Sequence, residues 1–447
     1  MQLERVNPVS MADRTMGFKE TFGLWIAANV VITTVLTGML FAEQITLYQC
    51  LFAVVVGSLI GSIPLALTAV MGFRTGLPTM AIARAAFGQN GAILPAVVNV
   101  FILVAWSWIQ AYLAGVSLNY AVSYLFGYDN VNLFVILTEL VVIYIAINGH
   151  QLIEKLEKTI ANVMLVLSFV IFAVMFSHYD VHNLITMQLV ENPGVTTVVA
   201  FDIVIATAFS WMSSVCDYNR YCKTEKSSVT GTYMGYVLAS VIAMMLGFVV
   251  AAFSITSGAE PTYDPAILLS NAGFGFYGFV AAIVVFLSVV STNVMALYSA
   301  TYSMMSVKQN LNFKVIVIVL GIAVVFGAML KESLMTNFFD FILLISTLFI
   351  PIFAIMLSDF FILKGGSYNN EDICNNEQKL YYYAGGFNLV SMVAYALGAS
   401  FSYYYTYVNP LSVGSAIPTF LVSALAYIVL MRIFDKETNT LVLQKNG

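Results

Sequence analysis

Trp106 and Gln110 place a large aromatic ring and an amide four residues apart in one apolar segment. Residues four apart lie on the same side of a helix, so the indole and the carboxamide would face the same space. An indole can cover a flat ring, and a carboxamide, which both donates and accepts, can pair with ring N–H and C=O groups. The pair therefore predicts a binding site for a planar molecule with a polar edge.

Two other apolar segments are interrupted by polar side chains near their middle. Residues 25–34 contain Asn29 and two threonines, and residues 206–214 contain a threonine and three serines beside two aromatic residues. A helix in lipid satisfies its own backbone, so such interruptions mark either contacts between helices or a functional site. Packing is the better explanation for any one of these residues, but several interruptions at one depth favour a site near the bilayer midplane.

Ser291 and Thr292 add two adjacent hydroxyl groups in a further segment, and Asn293 follows them. Sodium needs several hard oxygen ligands, and unwound backbone carbonyls can supply them without a carboxylate. Serine and threonine in membrane helices also commonly bond the carbonyl four residues earlier, which would be a structural role. We favour a sodium site, because a polar triplet opposite a broken helix fits a transporter better than packing.

The elements that position these groups must be membrane helices. Of the 447 residues 60% are hydrophobic and 9% are charged, whereas about a quarter of a soluble protein is charged. A helix needs about 20 apolar residues to cross the hydrocarbon layer, and runs of that length recur along the chain. They predict twelve transmembrane segments, near 23–42, 48–72, 93–118, 132–149, 157–177, 196–216, 232–256, 274–301, 313–330, 337–363, 381–403 and 411–433.

The positions of the basic residues support this count independently. With the N-terminus inside, all of the 18 lysines and arginines except Lys331 fall on cytoplasmic stretches. We therefore expect an integral protein of the cell membrane with both termini in the cytoplasm and the lipid bilayer as its surroundings. The net charge of −5 does not indicate a nucleic-acid partner, and no obligate protein partner is indicated.

The sequence does not contain the residue patterns of an enzyme or a metal centre. Four cysteines and three histidines show neither paired spacing nor a ligand cluster, and no common hydrolase or nucleotide-binding motif fits its structural context. We therefore predict a transporter that carries no cofactor. Three intramembrane carboxylates remain, Glu139, Asp202 and Asp340, of which Glu139 and Asp340 could couple to protons or simply bond neighbouring helices.

Several short motifs, spread in order from residue 14 to residue 361, are shared with a known family. They are Arg14–Phe18, Arg74–Met80, Ala83–Gly88, Ala105–Gln110, Ser210-Trp211 with Cys216–Tyr221, Ser291–Asn293 with Tyr298–Ala300, and Pro351 with Ser358–Phe361. In these motifs the chain resembles the nucleobase:cation symporter family. The resemblance implies import of a nucleobase or related nitrogen heterocycle, coupled to Na⁺ or H⁺ by alternating access.

The resemblance also implies an all-α fold of twelve transmembrane helices with a 5+5 inverted repeat. The two repeats would be about 23–177 and 196–363, within a transport core at 23–363, and helices 1 and 6 would be broken. A cytoplasmic tail at 1–22 would precede the core. A loop and two peripheral helices at 364–433 and a cytoplasmic tail at 434–447 would follow it.

By resemblance, Trp106 and Gln110 are the stacking and substrate-bonding residues. The opposite wall would come from segment 6, where Phe209 and Trp211 are both available aromatic residues. Thr207 and Ser210 would be hydroxyl partners there, and small residues fall near the place where relatives carry an aromatic. In segment 1, Val31 stands where relatives often have Gln or Asn, and Asn29 either compensates or caps the broken helix.

The resemblance completes the sodium shell with carbonyls of Ala27 and Val30 in segment 1 and of Ser288 in segment 8, beside the hydroxyls of Ser291 and Thr292. An amino-acid or organocation carrier of the same broken-helix fold would share everything that hydropathy indicates. Only the Trp106 and Gln110 pair and the loop motifs speak against that alternative.

Overall fold

Helices make up nearly all of the regular structure in the computed structural model, which describes residues 7–178, 180–256, 275–308, 310–374 and 380–445. They are α1 (Phe18–Asn29), α2 (Ile32–Met39), α3 (Leu47–Thr75), α4 (Thr79–Phe87), α5 (Ile93–Phe126), α6 (Val131–Ile147), α7 (His150–His178), α8 (Val181–Ile185), α9 (Thr197–Asn219), α10 (Glu225–Thr256), α11 (Gly275–Val307), α12 (Phe313–Ala328), α13 (Glu332–Thr336), α14 (Phe338–Leu357), α15 (Asn370–Cys374), α16 (Leu389–Tyr403) and α17 (Ala416–Lys445). A short 3-10 helix (Met11–Asp13) precedes α1, and π-helical stretches at Ser358–Leu363 and Tyr404–Val408 extend α14 and α16.

Each of the twelve predicted segments overlaps one of these helices or a helix pair, although the helices of segments 11 and 12 begin only at Leu389 and Ala416. Within the described residues, seven helices are long and apolar enough to cross a membrane, and the bent pair α1–α2 qualifies as an eighth. α6, α12 and residues 162–177 of α7 are shorter apolar helices. The chain is therefore an all-α polytopic membrane protein, and its bundle positions the site.

The helices associate in two groups that each combine both halves of the chain. α1 and α2 pack against α10, and α3 packs against α9 and α10. In the second group, α5 packs against α11, and α6 and α12 pack against both and against each other. Contacts between the two groups are sparser, because a cavity separates them. Two interleaved five-helix repeats would produce this pairing.

Segment 1 is broken, as the sequence predicts. α1 ends at Asn29 and α2 begins at Ile32, with a bend of 53° between them and Val31 in an extended conformation. The run from Val30 to Thr34 is β-branched, which lowers its helix propensity. The Val30 carbonyl, which the break frees, accepts a hydrogen bond from the Ser288 hydroxyl (3.1 Å), and the Asn29 amide donates back to the Trp25 carbonyl of α1 (3.0 Å). Non-helical backbone is thus tolerated at membrane depth.

Segment 6 is not broken, and that prediction is wrong. α9 runs without interruption from Thr197 to Asn219 and contains neither glycine nor proline. Its hydroxyls bond to carbonyls of their own helix: Thr207 donates to Val204 (2.7 Å) and Ser213 donates to Ser210 (2.8 Å). Polar residues that satisfy themselves in this way leave the backbone ladder intact.

Asp202 in α9 caps the first turn of α17. Its carboxylate accepts hydrogen bonds from the backbone N–H groups of Ser415 and Ala416 and from the Ser415 hydroxyl (3.1 Å). The carboxylate is the partner that the exposed N–H groups and positive end of a helix prefer. The last helix is therefore fixed to α9 by a buried contact.

Asp202→Asn is expected to destabilise the protein by about 1–2 kcal/mol, because an amide offers one acceptor oxygen where the carboxylate offers two. The melting temperature of the detergent-solubilised variant measures this effect. Glu191→Gln is the control, since Glu191 is exposed in a loop. Equal melting temperatures for Asp202→Asn and wild type would refute the capping role.

Candidate functional site

A cavity lies between α1, α2, α5, α9 and α11. Among the described residues, no acidic residue, lysine, arginine or histidine lines it. Its walls are formed by Ala28, Asn29, Val31, Thr33, Thr34, Thr37, Leu103, Trp106, Gln110, Thr207, Ser210, Trp211, Thr292 and Ala296. A space bounded by aromatic, hydroxyl and amide groups suits a small molecule that carries no formal charge.

Trp106 and Gln110 both face this cavity from α5. The Trp106 indole donates to the Ser210 hydroxyl across the cavity (2.8 Å), and the edges of Phe338 and Phe341 hold the ring in place, with centroids 5.9 and 5.1 Å away. Gln110 is 3% exposed, and its buried Oε1 has no hydrogen-bond partner among the described residues. A buried acceptor without a donor costs free energy, which a bound molecule with an N–H group would recover.

The α9 wall contains Thr207 and, one turn later, the adjacent residues Ser210 and Trp211. Trp211 is half-buried and meets Trp25 edge to face, with ring centroids 5.6 Å apart. The Thr207 hydroxyl donates to the Val204 carbonyl and accepts from Tyr236 (3.1 Å), so it can only accept one further bond. Trp211 is thus the aromatic residue that segment 6 contributes to the cavity.

Phe209 does not line the cavity. It is buried on the opposite side of α9, where its ring meets Phe420 of α17 at a centroid distance of 6.0 Å. Residues two apart on a helix point about 200° apart, so only one of Phe209 and Trp211 can face a given space.

The α1–α2 wall contains Asn29 and Val31 together with residues that the site prediction omitted. Thr33, Thr34 and Thr37 line the cavity from α2, and Ala28, Leu103 and Ala296 complete it. The hydroxyls at 33 and 34 belong to the polar interruption of segment 1, which was a usable signal. The alanines and the leucine look like ordinary packing residues in the sequence and gave no signal.

Three of the five predicted sodium ligands are connected at the helix break. The Ser288 hydroxyl donates to the Val30 carbonyl (3.1 Å). Thr292 donates to the Ser288 carbonyl (3.2 Å), which is the bond to the fourth residue back that the structural alternative predicts, and its hydroxyl can still accept. Ser291 is buried one residue before Thr292, and Ala27 is buried in the last turn of α1. These uncharged oxygens are of the hard type that sodium prefers. The described residues contain no cluster of three or more His, Cys, Asp or Glu that would suit a transition metal.

At one end of the cavity, α9 closes against α11. The Tyr218 hydroxyl donates to the Met295 carbonyl (2.9 Å), and the Arg220 guanidinium lies 4.4 Å above the Tyr302 ring. Asp217 accepts the backbone N–H of Thr79 and so caps α4. The Arg220 side chain contacts the backbone carbonyl of Asp217, and no ion pair between the two side chains occurs in the described part of the chain.

Arg84 also lies at this end of the bundle and has a structural role. It donates to the carbonyls of Ile373 and Ser306, which tie α4 to α15 and to the end of α11. Burial lowers the pKa of the Arg84 guanidinium. Arg84 therefore joins α4 and α15 to α11.

Comparison with known proteins gives consistent matches along almost the whole chain. A family described as permeases for cytosine/purines, uracil, thiamine and allantoin matches residues 8–430. YxlA of Bacillus subtilis (strain 168), named provisionally as a purine-cytosine permease, is 29% identical over 82% of this chain and 81% of its own. The allantoin permease of the same organism is 25% identical over 96% of this chain and 93% of its own.

The fold is also found among solved structures. Mhp1, described as a nucleobase-cation-symport-1 family transporter and solved in a closed conformation with bromovinylhydantoin, aligns with a TM-score of 0.85 at 21% identity. The alignment covers 97% of this chain and 96% of Mhp1. The inward-facing conformation of Mhp1 aligns with a TM-score of 0.80.

Proposed function

Because the chain belongs to the family of permeases for cytosine/purines, uracil, thiamine and allantoin, we propose that it imports a neutral nitrogen heterocycle, a nucleobase or a related cyclic amide. Transport is coupled to Na⁺ or H⁺ by alternating access, and Na⁺ is the ion that the oxygen set at the helix break favours. The protein acts in the cell membrane with both termini in the cytoplasm.

The unpaired Oε1 of Gln110 is the observation that carries this proposal. It is a buried acceptor in a cavity that also presents a tryptophan face, and the amide nitrogen beside it is a donor. A ring with adjacent N–H and C=O groups satisfies both ends of a carboxamide while its face stacks on Trp106. Hydantoin, allantoin, uracil and hypoxanthine each contain such an edge.

The uncharged lining favours neutral heterocycles over the second candidate, an amino-acid or organocation carrier. A cation or zwitterion in this cavity would meet no oppositely charged side chain among the described residues that line it. Desolvating such a charge without a partner costs several kcal/mol. The same argument weighs against thiamine, which is a permanent cation.

A thermal-shift screen of the detergent-solubilised protein tests the substrate class. Cytosine, uracil, hypoxanthine, allantoin and hydantoin form one arm, and thiamine, phenylalanine and choline form the other. A compound that binds only the folded state stabilises it by RT ln(1 + [L]/Kd), so the melting temperature rises with the ligand concentration relative to Kd. We expect stabilisation in the first arm only. Stabilisation by phenylalanine or choline, with no response to the five heterocycles, would contradict the proposal.

Alternating access is supported by the division into two helix groups and by the contacts that join them at one end of the cavity. The proposed motion separates α1, α2, α3, α9 and α10 from α5, α6, α11 and α12. It would break the contacts of Tyr218 with Met295 and of Arg220 with Tyr302, which join the groups at one end. Ser288 spans the groups at the helix break, so a cation bound there would favour their approach.

Thr292→Val is expected to raise the sodium concentration for half-maximal stimulation of uptake about tenfold or more. The substitution keeps the side-chain volume and removes an oxygen, and a hydrogen-bonding or ligating group next to an ion contributes about 1.5–3 kcal/mol. Uptake measured over a series of sodium concentrations at constant ionic strength gives this value.

Thr301→Val is the matched control, because Thr301 lies on the same helix and donates to the Leu297 carbonyl away from the break. Its sodium dependence should equal that of wild type. An unchanged sodium dependence in Thr292→Val would remove this residue from the cation site. If the uptake rate of wild type does not depend on the sodium concentration, H⁺ becomes the candidate coupling ion.

A further inference from the structure

Glu139 is a fully buried carboxyl group in the middle of α6. Asn293 of α11 donates its amide to Glu139 Oε2 (2.8 Å), and Glu139 Oε1 has no hydrogen-bond partner among the described residues. Gly321 of α12 lies beside the group, since a Cβ built there would be in ordinary contact with Oε1, 3.6 Å away. The carboxyl thus lies among α6, α11 and α12, which belong to one helix group, and it does not line the cavity.

The helices packed around Glu139 offer it no counter-charge. α5 and α11 contain no acidic residue, lysine, arginine or histidine, and their titratable groups are tyrosines. On α12 the charged group is Lys314, two turns from Gly321 at the end of the helix. α7 has Glu154, Lys155, Glu157, Lys158 and the histidines 150 and 178. In the described part of the chain, no cation pairs with Glu139.

An unpaired carboxylate in this position would cost several kcal/mol, so the neutral, protonated form is the one compatible with the closed arrangement. The proton has a structural consequence through α11. Asn293 immediately follows Thr292, which lines the cavity, and Ser288 on the same helix bonds the broken helix. One helix therefore connects the buried carboxyl to the wall of the site.

We propose that Glu139 is a proton-binding site that holds α11 in place. One proton from water occupies the carboxyl while α6 and α11 are packed as described. Because both helices belong to the same group, the proton returns to water only when their packing opens locally or the protein unfolds. The proton thereby links the position of α11 to pH, whichever heterocycle is carried and whichever ion is coupled to it. Asn293 is the positioning residue that conveys this state to α11.

Comparison of wild type with Glu139→Gln tests the site, because the amide copies the shape of the protonated acid and cannot ionise. An unfolded carboxyl ionises near pH 4.3, so above that pH folding must take up the proton that Glu139 holds. The unfolding equilibrium constant of wild type should then rise about tenfold per pH unit relative to that of Glu139→Gln. Melting temperatures from pH 5.5 to 8.5 should fall more steeply in wild type.

Asp340→Asn is the control, since Asp340 is an exposed carboxyl in the first turn of α14. The melting temperature of this variant should fall with rising pH as steeply as that of wild type. In uptake assays with the compound that the five-heterocycle screen identifies, Glu139→Gln should transport with a flatter pH profile than wild type. Parallel melting curves and equal uptake profiles for wild type and Glu139→Gln would overturn the proposal. If none of the five heterocycles binds, the transport proposal is refuted, while the comparison of melting temperatures still tests Glu139.

If Glu139→Gln does not fold, a hydrophobic carbodiimide provides a second test on the wild-type protein. Such reagents add to protonated carboxyls, and mass spectrometry locates the adduct. We expect an adduct on Glu139 whose yield decreases as pH rises from 6 to 9. A yield at Glu139 that does not change with pH would overturn the proposal.

Discussion

Gln110→Leu is expected to weaken binding of the transported heterocycle about 10- to 100-fold. Leucine preserves the approximate volume but removes both hydrogen-bonding atoms, and the ring N–H and C=O would be buried without partners at a cost of about 1–3 kcal/mol. The loss should be accompanied by a gain in protein stability or no change, because Oε1 is unpaired in the empty cavity. Ligand titrations monitored by thermal shift measure both quantities.

Asn119→Leu is the control for an amide on the same helix. Asn119 bonds Asp129 and the Asn130 backbone at the end of α5, far from the cavity lining. This variant should lose stability and keep its affinity. If Gln110→Leu binds the heterocycle as well as wild type does, the Gln110 carboxamide does not hydrogen-bond the polar edge of the heterocycle.

Trp106→Ala is expected to reduce affinity about 100-fold. The substitution removes the stacking face and the apolar area that covers the ring, and it also releases Ser210 from its indole partner. Trp106→Phe should lose less affinity for the heterocycle, since phenylalanine keeps an aromatic face and lacks the N–H donor. Affinities of both variants for the heterocycle, from the same titrations, order the two effects.

Trp108 supplies the matched control two residues away. Its indole donates to the Ala323 carbonyl and packs over Gly327 on the other side of α5. Trp108→Ala should lower stability without an equivalent loss of affinity. Equal affinity losses in the Trp106 and Trp108 variants would indicate a general weakening of α5 and would contradict a stacking role.

Much of the fold could be predicted because a membrane imposes a length and a composition on each helix. The resemblance also predicts the break in segment 1, and the run of β-branched residues after Asn29 gives a physical reason for it. The same reasoning failed in segment 6. There the hydroxyls of Thr207 and Ser213 bond their own helix, and a sequence does not reveal whether a hydroxyl bonds backward or serves a site.

The site was predictable to the extent that it depends on helix periodicity. Trp106 and Gln110 line one cavity because residues four apart share a face. The choice between Phe209 and Trp211 required knowledge of which face of α9 meets α17, a tertiary property. The same holds for the carboxylates. Asp202 caps a distant helix and Asp340 is exposed, whereas Glu139 is enclosed, although all three interrupt apolar sequence in the same way.

Uptake by the purified protein in sealed vesicles tests the central claim most directly. Proteoliposomes with an inward sodium gradient would be given each of five radiolabelled heterocycles: cytosine, uracil, hypoxanthine, allantoin and hydantoin. We expect saturable accumulation of at least one, competition by its neutral analogues, and loss of accumulation when the gradient is collapsed or Gln110 is replaced by leucine. Accumulation of none of the five under sodium or proton gradients, with saturable uptake of an amino acid or organic cation, would contradict the account.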